Sequence, residues 1–276
     1  MKVFLFIYLM ITLAFAGGYE VVDGEIPSSI IGKSVPYWAM IPRNLPPGPI
    51  PVVYFLHGRG GNRYQFRDVL GEKILREKSK KFAVVALTGR FSEHDTYWVN
   101  DATDKKFPWR DVVIRELIPA IEKKHSLGGS RDKRLVAGIS MGSHGAWQLA
   151  LTSGIFRCVA GHSLVVRDFK NISQEFPGKF GTEEDYKKRD PLSLLSLYKR
   201  RSQLPVEKFW VDIGGSDNSM FIERALLVEK ELIRLGVQPE DHVDIGKSAP
   251  EGKHDFSYWS KHMPSYLDWY ASCFNL

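Results

Sequence analysis

Four short apolar runs, each closed by glycine or a polar turn, constrain this chain more than any other feature. They are Val52-Val53-Tyr54-Phe55-Leu56 before His57-Gly58, Phe82-Ala83-Val84-Val85-Ala86-Leu87 before Thr88-Gly89, Leu135-Val136-Ala137-Gly138-Ile139 before Ser140, and Phe209-Trp210-Val211-Asp212-Ile213 before Gly214-Gly215. A strand with one face in water alternates polar and apolar residues, so near-continuous runs this short read as strands buried on both faces. Helical patterns lie between them. Val113, Leu117, Ile118 and Ile121 recur at helix spacing opposite Arg115, Glu116, Glu122 and Lys123, and Pro119 should kink that run or mark a boundary. Ile222, Ala225, Leu226, Glu229, Leu232 and Ile233 repeat the period, with Gly236 where a helix-ending glycine belongs. The stretch from Tyr258 to Tyr270 is aromatic and roughly amphipathic. Strands alternating with helices predict an α/β architecture, a mostly parallel sheet covered on both faces. In such sheets ligands bind at the carboxyl ends of the strands.

The third run leads into Gly138-Ile139-Ser140-Met141-Gly142, a G-x-S-x-G pattern. A buried strand precedes it and a helix pattern (Ala146, Trp147, Leu149, Ala150) follows, the setting a nucleophile elbow requires. The turn is so tight that side chains beside the serine would collide, hence the glycines. A serine hydroxyl also needs a base, and the base needs an orienting acid. In hydrolases built this way the chain order is Ser, then Asp or Glu, then His. Asp217, in Gly214-Gly215-Ser216-Asp217-Asn218 just past the fourth run, fits the acid. Asp212 competes with it, but lies within the strand run. Among the later histidines, His162 precedes both acids, His242 begins the apolar pattern Val243-Asp244-Ile245, and His262 falls in the last helix pattern. His254 lies in the loop between that strand and that helix, where one side chain can reach both Ser140 and Asp217. It is the expected base.

An oxyanion needs backbone N–H donors. Met141, directly after the nucleophile, should supply one. Arg59, in His57-Gly58-Arg59-Gly60-Gly61-Asn62, should supply the other, since the glycines around it allow close backbone approach. His57 is expected to make a structural hydrogen bond within that loop. Tyr97 and Trp98 are candidates to line the acyl or sugar site, against the commoner role of aromatics as packing. Such chemistry calls for no metal or organic cofactor, and no His/Cys cluster in the sequence suggests zinc.

Lys2, the apolar run from Val3 to Leu13 and Ala14-Phe15-Ala16 have the form of a secretory signal peptide cleaved after Ala16. The run is shorter than the ~20 residues of a membrane span. Residues 17–276 are then expected to form a single domain, for which a hydrophobic share of 43% is ample. The net charge of +6 is spread along the chain, without the clustered basic and aromatic residues that nucleic acid demands. Cys158 and Cys273 could pair in an oxidising compartment, or Cys158 could be a small buried hydrophobe.

Together these motifs resemble the esterase D group of α/β hydrolases, which includes S-formylglutathione hydrolases, the feruloyl and acetylxylan esterases of carbohydrate esterase family one, and the mycobacterial mycolyltransferases. Tyr54-Phe55-Leu56-His57-Gly58-Arg59-Gly60-Gly61-Asn62 resembles the group's oxyanion strand and loop. Trp98-Val99-Asn100-Asp101 and Arg115-Glu116-Leu117-Ile118-Pro119 are similar to its approach to the nucleophile. Ser140-Met141-Gly142-Ser143-His144-Gly145-Ala146 is close to its elbow, with Ser143 where the group usually has glycine. Phe180-Gly181-Thr182-Glu183-Glu184-Asp185-Tyr186 and Asp190-Pro191 resemble its segment between nucleophile and acid. His254-Asp255-Phe256-Ser257-Tyr258-Trp259 resembles its histidine loop. The resemblance spans about residues 30–270. It implies an α/β-hydrolase fold with a small cap (residues 165–195), a triad of Ser140, Asp217 and His254, and oxyanion amides from Arg59 and Met141. With the signal-peptide pattern, which argues for a secreted or periplasmic protein, it implies a carboxylesterase acting on short acyl esters, carbohydrate-linked acetyl or feruloyl esters among them, because export does not suit the intracellular substrate of S-formylglutathione hydrolases. An acyltransferase using the same acyl-enzyme, or a binding protein on a retained hydrolase fold, are the alternatives.

Overall fold

The computed structural model describes residues 18–91, 94–238 and 243–276. The stretch read as a signal peptide (residues 1–16) and His242 lie outside the described residues. In chain order the strands are β1 (Tyr19–Ser28), β2 (Lys33–Pro42), β3 (Val52–Leu56), β4 (Ala83–Leu87), β5 (Arg90–Phe91), β6 (His94–Asp95), β7 (Arg134–Ile139), β8 (Cys158–His162), β9 (Lys208–Ile213) and β10 (Val243–Ile245). β5 and β6 form a separate ribbon, and the others form one sheet in the order β1-β2-β4-β3-β7-β8-β9-β10. From β4 to β10 neighbouring strands are parallel, and the β1–β2 hairpin closes one edge antiparallel. The four apolar runs are therefore strands of the mostly parallel sheet expected of them.

Their apolar continuity has a direct cause. Along β3, Val52, Tyr54 and Leu56 point into one core, and Val53 and Phe55 into the other. Helices on both faces make both cores dry. Met141–Ser153 and Ser219–Arg234 cover the first face, with Trp147, Leu149, Val228 and Leu232 buried there. Gly71–Glu77 and Phe256–Cys273 cover the second, burying Leu75, Met263, Tyr266 and Tyr270. The helix Ser219–Arg234 ends as its sequence suggests: Gly236 takes φ +84°, Gly236 N–H donates to the Ile233 carbonyl, and Val237 N–H to that of Leu232.

Pro119 is a boundary rather than a kink. The stretch Val112–Leu117 is π-helical, with the Ile118 N–H reaching back to the Val113 carbonyl, and the α-helix Ile118–His125 starts with the proline in its first turn. The proline has no N–H to continue the ladder, and it falls where π-helical bonding gives way to α-helical bonding. β1 carries no pattern comparable to the buried strands, whereas β2 holds the apolar run Tyr37-Trp38-Ala39-Met40-Ile41, buried alternately in the two cores. β1 is an edge strand, partly exposed, and Gly24 is where the Tyr37 ring of β2 lies across it: a Cβ there would come within 2.7 Å of that ring.

Residues 165–195 form short helices, Phe169–Glu175, Glu183–Lys187 and the start of Pro191–Ser196, with N-caps from Asp168, Thr182 and Asp190. Their connecting loop is pinned to the segment after β6. Ala102 N–H donates to the Lys179 carbonyl at 2.8 Å, and Lys179 Nζ donates to His94 Nε2 at 2.8 Å and to Asp101 at 3.3 Å.

Cys158 at the start of β8 and Cys273 at the end of the last helix form a disulfide, their Cα atoms 6.5 Å apart and separated by 115 residues of chain. A loop that long removes ~4–5 kcal/mol of conformational freedom from the unfolded chain. Replacing both cysteines by serine should lower Tm by about 10 °C, at ~2–4 °C per kcal/mol for a chain of this size. Calorimetry checks this, and a shift below ~3 °C would show that the bridge adds little.

Candidate active site

β7 runs straight into Ser140, which adopts φ 55° and ψ −118°, a conformation costly for a side-chain-bearing residue and held only by its surroundings. A Cβ on Gly142 would lie 2.0 Å from the Leu56 carbonyl oxygen, one on Gly138 2.1 Å from the Gly142 oxygen, and one on Gly145 2.4 Å from the Trp98 side chain. The helix Met141–Ser153 is thus pressed onto the end of β3, and the glycines are there because nothing larger fits. Ser140 N–H donates to the His162 carbonyl at 3.0 Å, which ties the turn to β8. Ser143, in place of the group's usual glycine, uses its hydroxyl. It donates to the Ser140 carbonyl at 2.5 Å and accepts the Val165 N–H at 3.0 Å, joining the elbow to the start of the 165–195 segment.

The candidate acid and base arrive on loops at the same sheet edge. β9 ends at Ile213, and the loop after it is stitched to the loop after β10: Gly215 N–H donates to the Ala249 carbonyl, and Ser216 N–H to that of Gly252, both at 2.9 Å. A Cβ on Gly214 would sit 2.2 Å from the Gly252 oxygen, so the two loops touch backbone to backbone. Asp217, its side chain shielded from solvent, faces His254 Nδ1 at 2.8 and 3.1 Å, and accepts the Asn218 N–H at 2.6 Å. His254 Nε2 lies 2.7 Å from Ser140 Oγ. Since a carboxylate only accepts, Nδ1 carries the proton and Nε2 is free to take one from the serine. Phe221 and Trp259 flank the imidazole, with ring centroids at 5.6 and 5.5 Å.

The other candidates are elsewhere. Asp212 is fully buried and accepts hydrogen bonds from His162 Nδ1 (2.6 Å), Trp210 Nε1 (2.6 Å), Tyr266 (2.8 Å) and Tyr258 (3.0 Å). Burial alone would raise its carboxyl, but His162 and the other donors outweigh that and hold it below the usual carboxylate range. His262 caps within its own helix, Nδ1 donating to the Tyr258 carbonyl at 2.8 Å. His144 is buried beside Tyr97 and Phe180, and burial lowers its basicity.

Arg59 follows Gly58, where a Cβ would come within 3.3 Å of Ser140 Cβ, so the loop after β3 borders the nucleophile. Gln65 holds that loop by accepting the Gly58 N–H at 2.6 Å, a contact with no sequence signal. Among the described residues, the N–H groups of Arg59 and Met141 have no acceptor within the protein. His57 is structural: Nδ1 donates to the Gly58 carbonyl at 2.7 Å and Nε2 accepts the Gly89 N–H at 2.8 Å.

Trp98 corrects an expectation. Its ring has no exposed surface, packs over Gly145 and donates to the His57 carbonyl at 3.3 Å, so it supports the elbow and cannot stack on a ligand. Tyr97 is 3% exposed, wedged between His144, Phe176 and Phe180, and likewise packs the cap onto the elbow helix. Both adopt left-handed backbone, φ 54° and 61°. Among the described residues no group of three His, Cys, Asp or Glu side chains could hold a metal ion, and no helix is long and apolar enough to cross a membrane.

A family model described as "Putative esterase" matches residues 28–270. The chain belongs to this esterase family. The acetyl esterase of Caldicellulosiruptor saccharolyticus is 19% identical over 235 residues, covering 80% of this chain and 83% of that protein. The structure of an S-formylglutathione hydrolase from Agrobacterium tumefaciens matches with a TM-score of 0.75 at 16% identity, covering 96% of this chain and 99% of that one. That of a ferulic acid esterase matches at 0.74 and 18% identity, covering 94% and 100%. The fold is the α/β-hydrolase fold, and the relatives are of the esterase D group whose motifs the sequence shares. The esterase is accordingly a carboxylic ester hydrolase.

Burial holds the His57 imidazole down to about 4 from its ordinary 6.5. A depressed histidine adds stability that is fully present above pH ~6.5 and is lost as pH falls toward ~4, because only the unfolded chain takes up the proton in that window. His57→Gln should flatten the stability loss between pH 7 and 4.5 by roughly 2–3 kcal/mol. Urea unfolding at the two pH values measures it, and an unchanged difference would assign the acid sensitivity to other groups.

Proposed function

We propose that this esterase is an exported serine carboxylesterase that hydrolyses short acyl esters, acetyl or feruloyl groups on carbohydrate among them, through an acyl-enzyme on Ser140. The hydrogen-bonded line from Ser140 through His254 to Asp217, at 2.7 and 2.8 Å, carries the reading.

Ser140 Oγ attacks the ester carbonyl while His254 Nε2 takes its proton, and Asp217 holds the ring and stabilises the imidazolium. The oxyanion is received by the N–H groups of Arg59 and Met141. His254 returns the proton to the leaving alcohol. A water activated by the same nitrogen then releases the acid and restores the serine. The acyl specificity draws on the acetyl esterase and ferulic acid esterase among the relatives. Export draws on the N-terminal sixteen residues and on the Cys158–Cys273 bridge, which suits an oxidising compartment.

Hydrolysis of p-nitrophenyl acetate through decanoate and of methyl ferulate, by wild type and Ser140→Ala in parallel, tests it. Wild type should favour short chains or ferulate, and the variant should lose several orders of magnitude, keeping only oxyanion-hole and binding effects. Equal activity in both proteins would remove Ser140 from the mechanism. Inactivity of wild type on every ester, followed by turnover on adding an alcohol or sugar acceptor, would make it an acyltransferase.

A further inference from the structure

Above the triad, two arginines share the carboxylate of Glu175 and a third lies beside them. Arg59, from the oxyanion loop, pairs with one oxygen of Glu175, and its guanidinium lies 5.1 Å from the Phe176 ring centre. Arg167 pairs with the other oxygen and hydrogen-bonds Tyr97. It also lies over Phe221 at 5.9 Å, the same ring that packs against His254. Arg224 donates to the Arg167 carbonyl at 3.3 Å. Among the described residues, Asp95 is the other carboxylate facing Arg59, 3.9 Å away, and it accepts the Gly60 N–H. The Nε atoms of Arg167 and Arg224 are buried with no acceptor. A guanidinium brings several fixed donors, and a buried donor left without an acceptor is costly. Among the described residues the cluster therefore has more donors than acceptors.

We propose that Arg167, together with Arg59, recognises a carboxylate on the alcohol portion of the ester, such as that of a hydroxy acid or acidic sugar, and that Glu175 holds its place in the free enzyme. The proposal rests on the acyl-enzyme reading and adds the substrate's charge to it. Glu175 shows the geometry such a group would adopt, a carboxylate bridging two guanidinium groups, the arrangement for which arginine is best suited. The side follows from the proton path. His254 protonates the leaving alcohol, so the alcohol departs toward that imidazole, and Arg167 reaches the imidazole through Phe221. Glu175 ends a short helix on the 165–195 segment and is partly exposed, so it can give way to a substrate group.

The test compares 4-acetoxybenzoate with its methyl ester, which share the scissile phenyl acetate and differ in the charge of the leaving phenol. The readout is the ratio of kcat/KM, anionic over neutral, each corrected for its hydroxide-catalysed rate. In wild type the ratio should exceed one and fall with added salt. Arg167→Gln should lower it about tenfold, the worth of one charge-assisted hydrogen bond. Glu175→Gln should raise it by removing the competing carboxylate, and being near the surface it serves even where the Arg167 variant fails to fold. A wild-type ratio below one, or a ratio unmoved by Glu175→Gln, overturns the anion site. Absence of Ser140-dependent turnover of the neutral methyl ester would instead sink the acyl-enzyme reading.

Discussion

Everything at the site depends on how closely the helix after Ser140 is pressed against the end of β3. The space that a Cβ on Gly142 would need is already filled by the Leu56 carbonyl. That contact keeps Ser140 in a backbone conformation it would leave in isolation, and presents its hydroxyl above the sheet edge. The cost of such strain is of order 1–3 kcal/mol. It is offset by the burial of large side chains such as Trp147 and Leu149 along the same helix, each worth roughly 1.5 kcal/mol or more. The elbow is a local defect sustained by the core under it.

A reactive serine must also be met by an acid and a base that come from distant parts of the chain. Two devices bring them into register. Backbone hydrogen bonds join the loops after β9 and β10 directly, so Asp217 and His254 move as a unit. Below them, Asp212 collects donors from β8, β9 and the last helix, fixing the helix that starts two residues after His254. Tyr258 belongs to both arrangements. Its hydroxyl reaches Asp212, and its ring lies where a Cβ on Gly252, in the histidine loop, would come within 2.6 Å. The carboxylate that competed with Asp217 in sequence thus serves the scaffold of the site.

Much of this was legible because the physics is local. Buried strands show as unbroken apolar runs, and a strand–turn–helix with glycines at the turn is readable wherever it occurs. The order Ser140, Asp217, His254 follows from the winding of the sheet, so spacing and loop position were enough to expect the three side chains to meet, as they do. What escaped depends on partners far apart in sequence. Nothing near Trp98 shows that Gly145 will lie under its ring, so an aromatic that packs looked like one that could bind. β1 escaped because an edge strand of mixed polarity leaves no periodic trace, and the apolar run Tyr37-Trp38-Ala39-Met40-Ile41 of β2 is not closed by a glycine turn as those of β3, β4 and β9 are. Gln65, Ser143 and Glu175 act through specific side-chain hydrogen bonds and ion pairs, which one sequence cannot display.

The uneven burial of the two halves of the site governs how such a protein can diversify. Residues 141–151 of the elbow helix are all buried, and almost any change there would be felt throughout the core. The helices of residues 165–195 are short, capped by their own side chains and open to solvent along much of their length. Mutations can accumulate on that segment at little cost to folding while altering what meets the serine. New substrates can therefore be explored by drift in the cap, with the chemistry conserved beneath it.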